Sequence, residues 1–174
     1  MRIRDADPDR DAAACAAIYA PSVKGSAISF EDEAPDPAEI ARRIRSYLAS
    51  HAWLVAERDR TVLGYAYGSP HRERAAYRWA ADVAVYVAAD ARGAGVGTAL
   101  YQALFARLRE RGYRQAVSGV TLPNEASLAL HRKLGFVDVG TYRAIGWKDG
   151  AWRDVTWMQL DLAPGSDAPP AEAG

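Results

Sequence analysis

Three signals in immediate succession constrain this chain more than any other feature. Tyr77 to Val87 is rich in Val, Tyr, Trp and Ala and reads as one long strand. It ends where Asp90 and then Arg92-Gly93-Ala94-Gly95-Val96-Gly97-Thr98 begin. Beyond the glycines, Val96, Leu100, Leu104 and Leu108 recur every four residues, which predicts an amphipathic helix stopped near Gly112. A strand that turns through glycines into a helix presents several backbone N–H groups beside the positive end of the helix dipole, so phosphate is the natural occupant. Glycine matters because a side chain there would block the approach of an anion or forbid the backbone angles.

A glycine-rich turn also serves as a purely structural turn, and several phosphate ligands compete for it. A nucleoside triphosphate loop needs Lys and then Ser or Thr after its last glycine, whereas Gly97 is followed by Thr98 and Ala99. A dinucleotide fingerprint wants Gly-x-Gly-x-x-Gly in the first βαβ unit, and this loop is Gly-x-Gly-x-Gly in mid-chain. The pyrophosphate of coenzyme A is the third reading.

The elements around the loop predict an α/β chain. Arg2-Ile3-Arg4 reads as a short strand, with Asp7 as N-cap and Pro8 opening a helix through Tyr19. Asp36, Pro37 and Glu39 form a capping-box arrangement for a second helix to about Ser50, with a thin apolar face. Ala52 to Glu57 and Val62 to Gly68 flank Arg58-Asp59-Arg60 as an antiparallel hairpin, followed by a polar loop from Ser69 to Arg74. Gln115 to Leu122 is a strand and Asn124 to Leu134 a helix. From Phe136 the chain is strand again, folded back at Asp149-Gly150 in a type I′ hairpin to about Leu162. Residues 1–162 are expected to form a single domain and 163–174, without apolar anchors, a flexible tail.

Composition narrows the partners. The 22 basic and 22 acidic side chains cancel, so no overall field draws in nucleic acid or an anionic membrane. Cys15 is the only cysteine, which excludes an internal disulfide. His51, His71 and His131 lie far apart, and no metal is expected. With no signal-peptide pattern and no spanning apolar run, a cytoplasmic setting is the default.

Arg92-x-x-Gly95-x-Gly97 after the strand Val85-Tyr86-Val87 resembles the GNAT acetyltransferase superfamily, whose motif is Gln/Arg-x-x-Gly-x-Gly/Ala. Asn124-Glu125-Ala126-Ser127 and the ending His131-Arg132-Lys133-Leu134-Gly135-Phe136 resemble the superfamily's Asn-x-x-Ala/Ser and Tyr-Glu-Lys-Leu-Gly-Phe segments. The resemblance implies the GNAT fold, a mixed, mostly antiparallel central sheet flanked by helices with a closing C-terminal β-hairpin. It also implies acetyl-CoA as co-substrate, held by Val85, Tyr86, Val87, Arg92, Gly93, Ala94, Gly95, Val96, Gly97, Thr98 and Asn124, with Lys133 either on a cofactor phosphate or solvated. His131 stands where the superfamily carries a proton-donating Tyr, and a pKa of about 6.5 suits it to the same transfer.

Tyr77-x-Trp79-x-x-Asp82-x-x-Val85-Tyr86-Val87, Leu122-Pro123-Asn124, His131 and Gly146-Trp147-Lys148-Asp149-Gly150-x-Trp152-x-Asp154-Val155 are similar to the phosphinothricin and methionine sulfoximine acetyltransferase branch. That branch carries a Glu as base where this chain has Asp82, one methylene shorter. Asp82 is therefore read either as the base, directly or through water, or as a carboxylate paired with Arg74 or Arg78. In the loop His71-Arg72-Glu73-Arg74, Arg74 matches an acceptor-pocket arginine, and planar guanidinium donors suit a carboxylate or phosphinate. Arg72 and Glu73 go with it, Phe30 matches a pocket aromatic although a core Phe is the commoner case, and Val83 borders the acceptor by strand alternation. The implied reaction is direct transfer from acetyl-CoA to the amino group of a small amino-acid-like acceptor, with a homodimer common in the branch. A non-catalytic acyl-CoA sensor, or an acetyltransferase of protein N-termini or aminoglycosides, is the alternative.

Overall fold

A computed structural model describes residues 1–166 and 168. In chain order it contains β1 (Arg2–Asp5), α1 (Pro8–Lys24), α2 (Pro37–Ser50), β2 (Ala52–Arg58), β3 (Thr61–Pro70), β4 (Ala80–Val87), α3 (Val96–Glu110), β5 (Gln115–Thr121), α4 (Glu125–Lys133), β6 (Val137–Lys148) and β7 (Ala151–Asp161). The strands form one sheet in the order β1-β2-β3-β4-β5-β7-β6. Its pairs are antiparallel except β4 with β5. This is the mixed, mostly antiparallel sheet with a closing β6–β7 hairpin that the resemblance implies.

Helices cover both faces. The run Ala52 to Ala56 is buried throughout because alternate residues serve two cores. Leu54 and Ala56 pack with Leu100, Leu104 and Leu108 of α3 on one face. Trp53 and Val55 pack with Cys15 and Tyr19 of α1 and with Ile40 and Ile44 of α2 on the other. The four-residue stripe of α3 is thus the side that joins it to the sheet, and each fully buried leucine contributes about 1.5–3 kcal/mol.

The capping signals hold. Asp7 accepts from Asp9 and Arg10 N–H, and Asp36 Oδ1 accepts from Glu39 N–H at 2.8 Å. The Glu39 carboxylate does not complete a capping box; it binds Arg42 and Arg43 instead. α1 runs past the expected Tyr19 to Lys24, through Pro21, because Ser22 and Val23 are still buried against the core. Asp149 and Gly150 take φ of 51° and 70°, as a type I′ turn requires.

β4 begins later than expected, at Ala80 rather than Tyr77. Its antiparallel partner β3 ends at Pro70, paired with Ala81, so residues 77–79 have no β3 residue to pair with. The chain forms a 3₁₀ turn over Ala75–Tyr77 instead, with Tyr77 N–H on Arg74 C=O. Most of the expected tail, 163–174, lies outside the described residues.

The decisive feature is a parting in the sheet. β4 and β5 pair only at Ala80–Gln115, Ala81–Ala116 and Asp82–Val117. β4 then continues with β3 as far as Val87, while β5 continues with β7 to Thr121. From Val83 onward the β4 edge facing β5 has no ladder partner, and α3 and α4 begin beside the opening.

Candidate active site

Between β4 and α3 lies the glycine loop. Gly93 and Gly95 have φ of 75° and 79°, the left-handed region in which a side chain is strained, and a Cβ at either would meet nothing within 4 Å. Backbone angle, not crowding, explains glycine there. Gly95 caps α3 without a side-chain hydrogen bond, so the N–H groups of Val96, Gly97 and Thr98 have no partner inside the helix. Arg92 to Gly95 are exposed. Free N–H groups at a helix start over an open approach fit a pyrophosphate.

Where β4 and β5 part, a slot of about 80 Å³ is bordered by Val83, Val85 and Tyr86 of β4, Ser118 of β5, Tyr101 of α3, and Asn124, Ser127 and His131 of α4. Asn124 is the N-cap of α4; its Oδ1 accepts from Ser127 N–H at 3.2 Å, which leaves the amide NH₂ for a ligand. His131 is 2% exposed. Its Nδ1 lies 2.7 Å from the Ser127 carbonyl, an obligate acceptor, so Nδ1 carries the hydrogen. Nε2 is then a bare acceptor, and the Tyr101 hydroxyl donates to it at 3.1 Å. Burial pushes the His131 pKa down, only partly offset by the bond to Ser127, and burial pushes that of Tyr101 up. At neutral pH the resting pair is a neutral imidazole and a phenol, and burial leaves His131 a smaller protonated fraction than an exposed histidine would have.

Asp82 stands one residue before Val83, at the end of the short pairing between β4 and β5. Asp82 does not pair with Arg74: its Oδ1 is 2.6 Å from His71 Nδ1. Burial raises the Asp82 pKa more than the His71 hydrogen bond and the nearby His71 and Arg72 charges lower it. A cavity of about 390 Å³ reaches Asp82 and Val83 past Phe30, Tyr142, Ile145 and Trp157. Phe30 is not a core residue; it is 41% exposed and lies against Gly146, where any Cβ would come within 2.2 Å of its ring. A second cavity of about 350 Å³ lies between His71, Arg72, Tyr142 and Trp157, with the Arg72 guanidinium 5.9 Å from the Trp157 ring centre. Arg72, Glu73 and Arg74 line an exposed groove with His71 and Tyr77. Lys133 is exposed in the last turn of α4, outside the residues that border the slot.

His71, Tyr101 and Trp157 border these cavities without standing out in the sequence as candidate residues. Tyr101 sits one position after Leu100 in the helical stripe, and its 1% exposure looks like core. A polar-headed aromatic in the first turns of a glycine-led helix is the available signal. Among the described residues no group of three or more His, Cys, Asp or Glu is placed to hold a metal ion.

A sheet parted beside a glycine-led helix, with hydrogen-bonding side chains deep in the opening, is the architecture of an enzyme that moves an acyl group off coenzyme A. Residues 22–136 match the acetyltransferase (GNAT) family, and the chain belongs to it. It is an acetyl-CoA-dependent N-acetyltransferase, with acetyl-CoA as co-substrate. A phosphinothricin N-acetyltransferase of Alcaligenes faecalis is 42% identical over 93% of this chain and 83% of its own length. An L-methionine sulfoximine/L-methionine sulfone acetyltransferase of Salmonella typhimurium is 34% identical over 93% of this chain and 95% of its own. A phosphinothricin acetyltransferase of Sinorhizobium meliloti, solved with acetyl-CoA, superposes with a TM-score of 0.92 at 36% identity, covering 99% of this chain and 94% of that one.

Proposed function

We propose that the acceptor is a small anionic amino acid of the phosphinothricin, methionine sulfoximine or methionine sulfone type, acetylated on its amino group in a ternary complex. The observation that carries this is Asp82, a half-buried carboxylate on the strand that borders the slot, opening to a cavity with aromatic walls. Arginines stand on the neighbouring rim.

In this reading the free N–H groups at the start of α3 and the loop from Arg92 hold the pyrophosphate, and the unpaired edge of β4 from Val85 to Val87 binds the pantetheine arm with Asn124. The thioester then lies in the slot. An N–H of that edge stabilises the oxyanion as the amine attacks. Arg72 and Arg74 bind the acceptor's acidic groups, and Phe30, Val83 and Trp157 enclose its side chain. Asp82 belongs to the base that frees the amine, and the Tyr101–His131 pair exchanges a proton with the departing sulfur. Cys15 takes no part: it is fully buried in the core on the α1 face, and burial pushes its thiol up to about 12.

Thiol release from acetyl-CoA across amino-acid analogues, aminoglycosides and peptides tests the reading. Release is expected with the amino-acid analogues, and release confined to peptides or aminoglycosides overturns it. The same proposal places the enzyme in the cytoplasm, where acetyl-CoA is made. It also pairs two copies through the edge hairpin β6–β7, whose Val137, Val139, Ile145, Trp147 and Trp152 are more than half exposed. Sedimentation at monomer mass overturns the pairing.

A further inference from the structure

We infer that His71, oriented by Asp82, is the group that takes the proton from the acceptor's ammonium, so that the base is a histidine–carboxylate pair rather than Asp82 alone. This rests on the proposed acetylation of a small amine.

The hydrogen bond itself assigns the roles. An ionised carboxylate has no hydrogen to give, so the 2.6 Å bond between His71 Nδ1 and Asp82 Oδ1 is donated by Nδ1. That fixes the tautomer and leaves the lone pair on Nε2, the arrangement in which a carboxylate holds an imidazole as a base. The fold makes the bond. Ser69 pairs with Asp82 and Pro70 with Ala81, so the chain leaves the sheet at the carboxylate and His71 is the first residue past the strand. The ring is held edge-on by Tyr77 at 5.8 Å and Trp157 at 6.3 Å. The His71 side chain is 15% exposed and borders both the Trp157 cavity and the arginine groove. An acceptor held by Arg72 or Arg74 therefore meets His71, whereas Asp82 has one oxygen already engaged. The imidazole also extends the base beyond the strand by the width of a ring, which supplies the reach that an aspartate lacks.

The step balances. The ammonium N–H bond breaks and its proton joins Nε2, giving an imidazolium whose Nδ1–H stays on the Asp82 carboxylate. The free amine forms the C–N bond to the acetyl carbonyl carbon. On collapse the C–S bond breaks, and the remaining surplus nitrogen proton ends on sulfur. His71 returns its proton to solvent through the exposed loop. The products are the amide, the thiol and one proton.

His71→Ala tests this, with a wild-type control on the same acceptor. The expected result is a loss of about a hundredfold in kcat/KM for the acceptor, unchanged acetyl-CoA affinity by calorimetry, and recovery of rate with added imidazole. Asp82→Asn should lose a similar factor, and the double variant no more than the worse single one, because the pair acts as a unit. A His71→Ala enzyme within about threefold of wild type, or a slow one that imidazole does not revive, overturns the proposal and leaves Asp82 as the base. A wild-type enzyme that releases no thiol with any small amine refutes the proposed function instead.

Discussion

His131 has both ring nitrogens committed, one to the Ser127 carbonyl and the other to the Tyr101 hydroxyl. A neutral imidazole so placed reaches the slot through, or together with, that hydroxyl. Tyr101→Phe keeps the ring packed on Phe105 and Phe136 and removes only the donor. Its turnover should fall by about tenfold or more, as should that of His131→Phe, with acetyl-CoA binding retained in both. Single-turnover thiol release and a calorimetric titration check this; a Tyr101→Phe enzyme at full rate reduces the tyrosine to packing. At this scale the sequence was legible wherever a residue sat in a local motif. Asp82, Asn124 and His131 are read as candidate residues from their neighbours in the chain, and each borders one of the two cavities around the parting. The contact of His71 with Asp82 is not legible there, because the two are eleven positions apart across the β3–β4 register. No periodicity records that pairing.

Elements were read well where their ends carry chemistry. Asp7, Asp36, Asn124 and the Asp149-Gly150 turn each mark a boundary that the structure keeps, since capping and positive φ are local demands. The start of β4 was misjudged because Tyr77 and Trp79 have strand-forming side chains, and only the end of the partner strand at Pro70 decides where pairing begins. The glycine loop supplies the test at this scale. At Gly95 the φ of 79° is what an alanine resists, while the surrounding space is open. Gly95→Ala should therefore cost about 1 kcal/mol of backbone strain, lowering the melting temperature by roughly 2–4 °C. It should also weaken acetyl-CoA binding as the N–H groups at the start of α3 lose their aim. Unchanged stability and affinity would show that the loop relaxes freely and does not hold the pyrophosphate.

For the molecule as a whole, two buried histidines shape the response to mild acid, before the ion-paired carboxylates such as Asp11 and Glu31 take up protons. Burial, with the Arg111 charge adding to it, lowers the His51 pKa to about 4, and burial lowers that of His131. Both fall below the unfolded value of about 6.5, so the unfolded chain binds protons first. Stability is then full above about pH 6.5 and declines as pH falls toward the folded values, by up to about 1.4 kcal/mol per pH unit for each histidine. Asp82, raised by burial, opposes this over the lower part of that window. Urea unfolding at pH 7.5 and 5.5 should show the decline, and His51→Gln should flatten it; equal stability at the two pH values would contradict the burial of both rings. The order of strands and helices was legible in the chain because each element declares itself locally. The parting between β4 and β5 was not, since it appears only when the sheet is assembled.

That parting makes the sheet two panels joined along a short seam of three register pairs. In the proposed reading the co-substrate lodges just past the end of this seam, where the two strands part. On that reading acetyl-CoA would work as mortar as well as reagent, bridging β4 and the α3 start to α4. At a hundred times its dissociation constant a ligand of the folded state adds about 2.7 kcal/mol of stability. The enzyme charged with acetyl-CoA is then expected to be a sturdier object than the empty one.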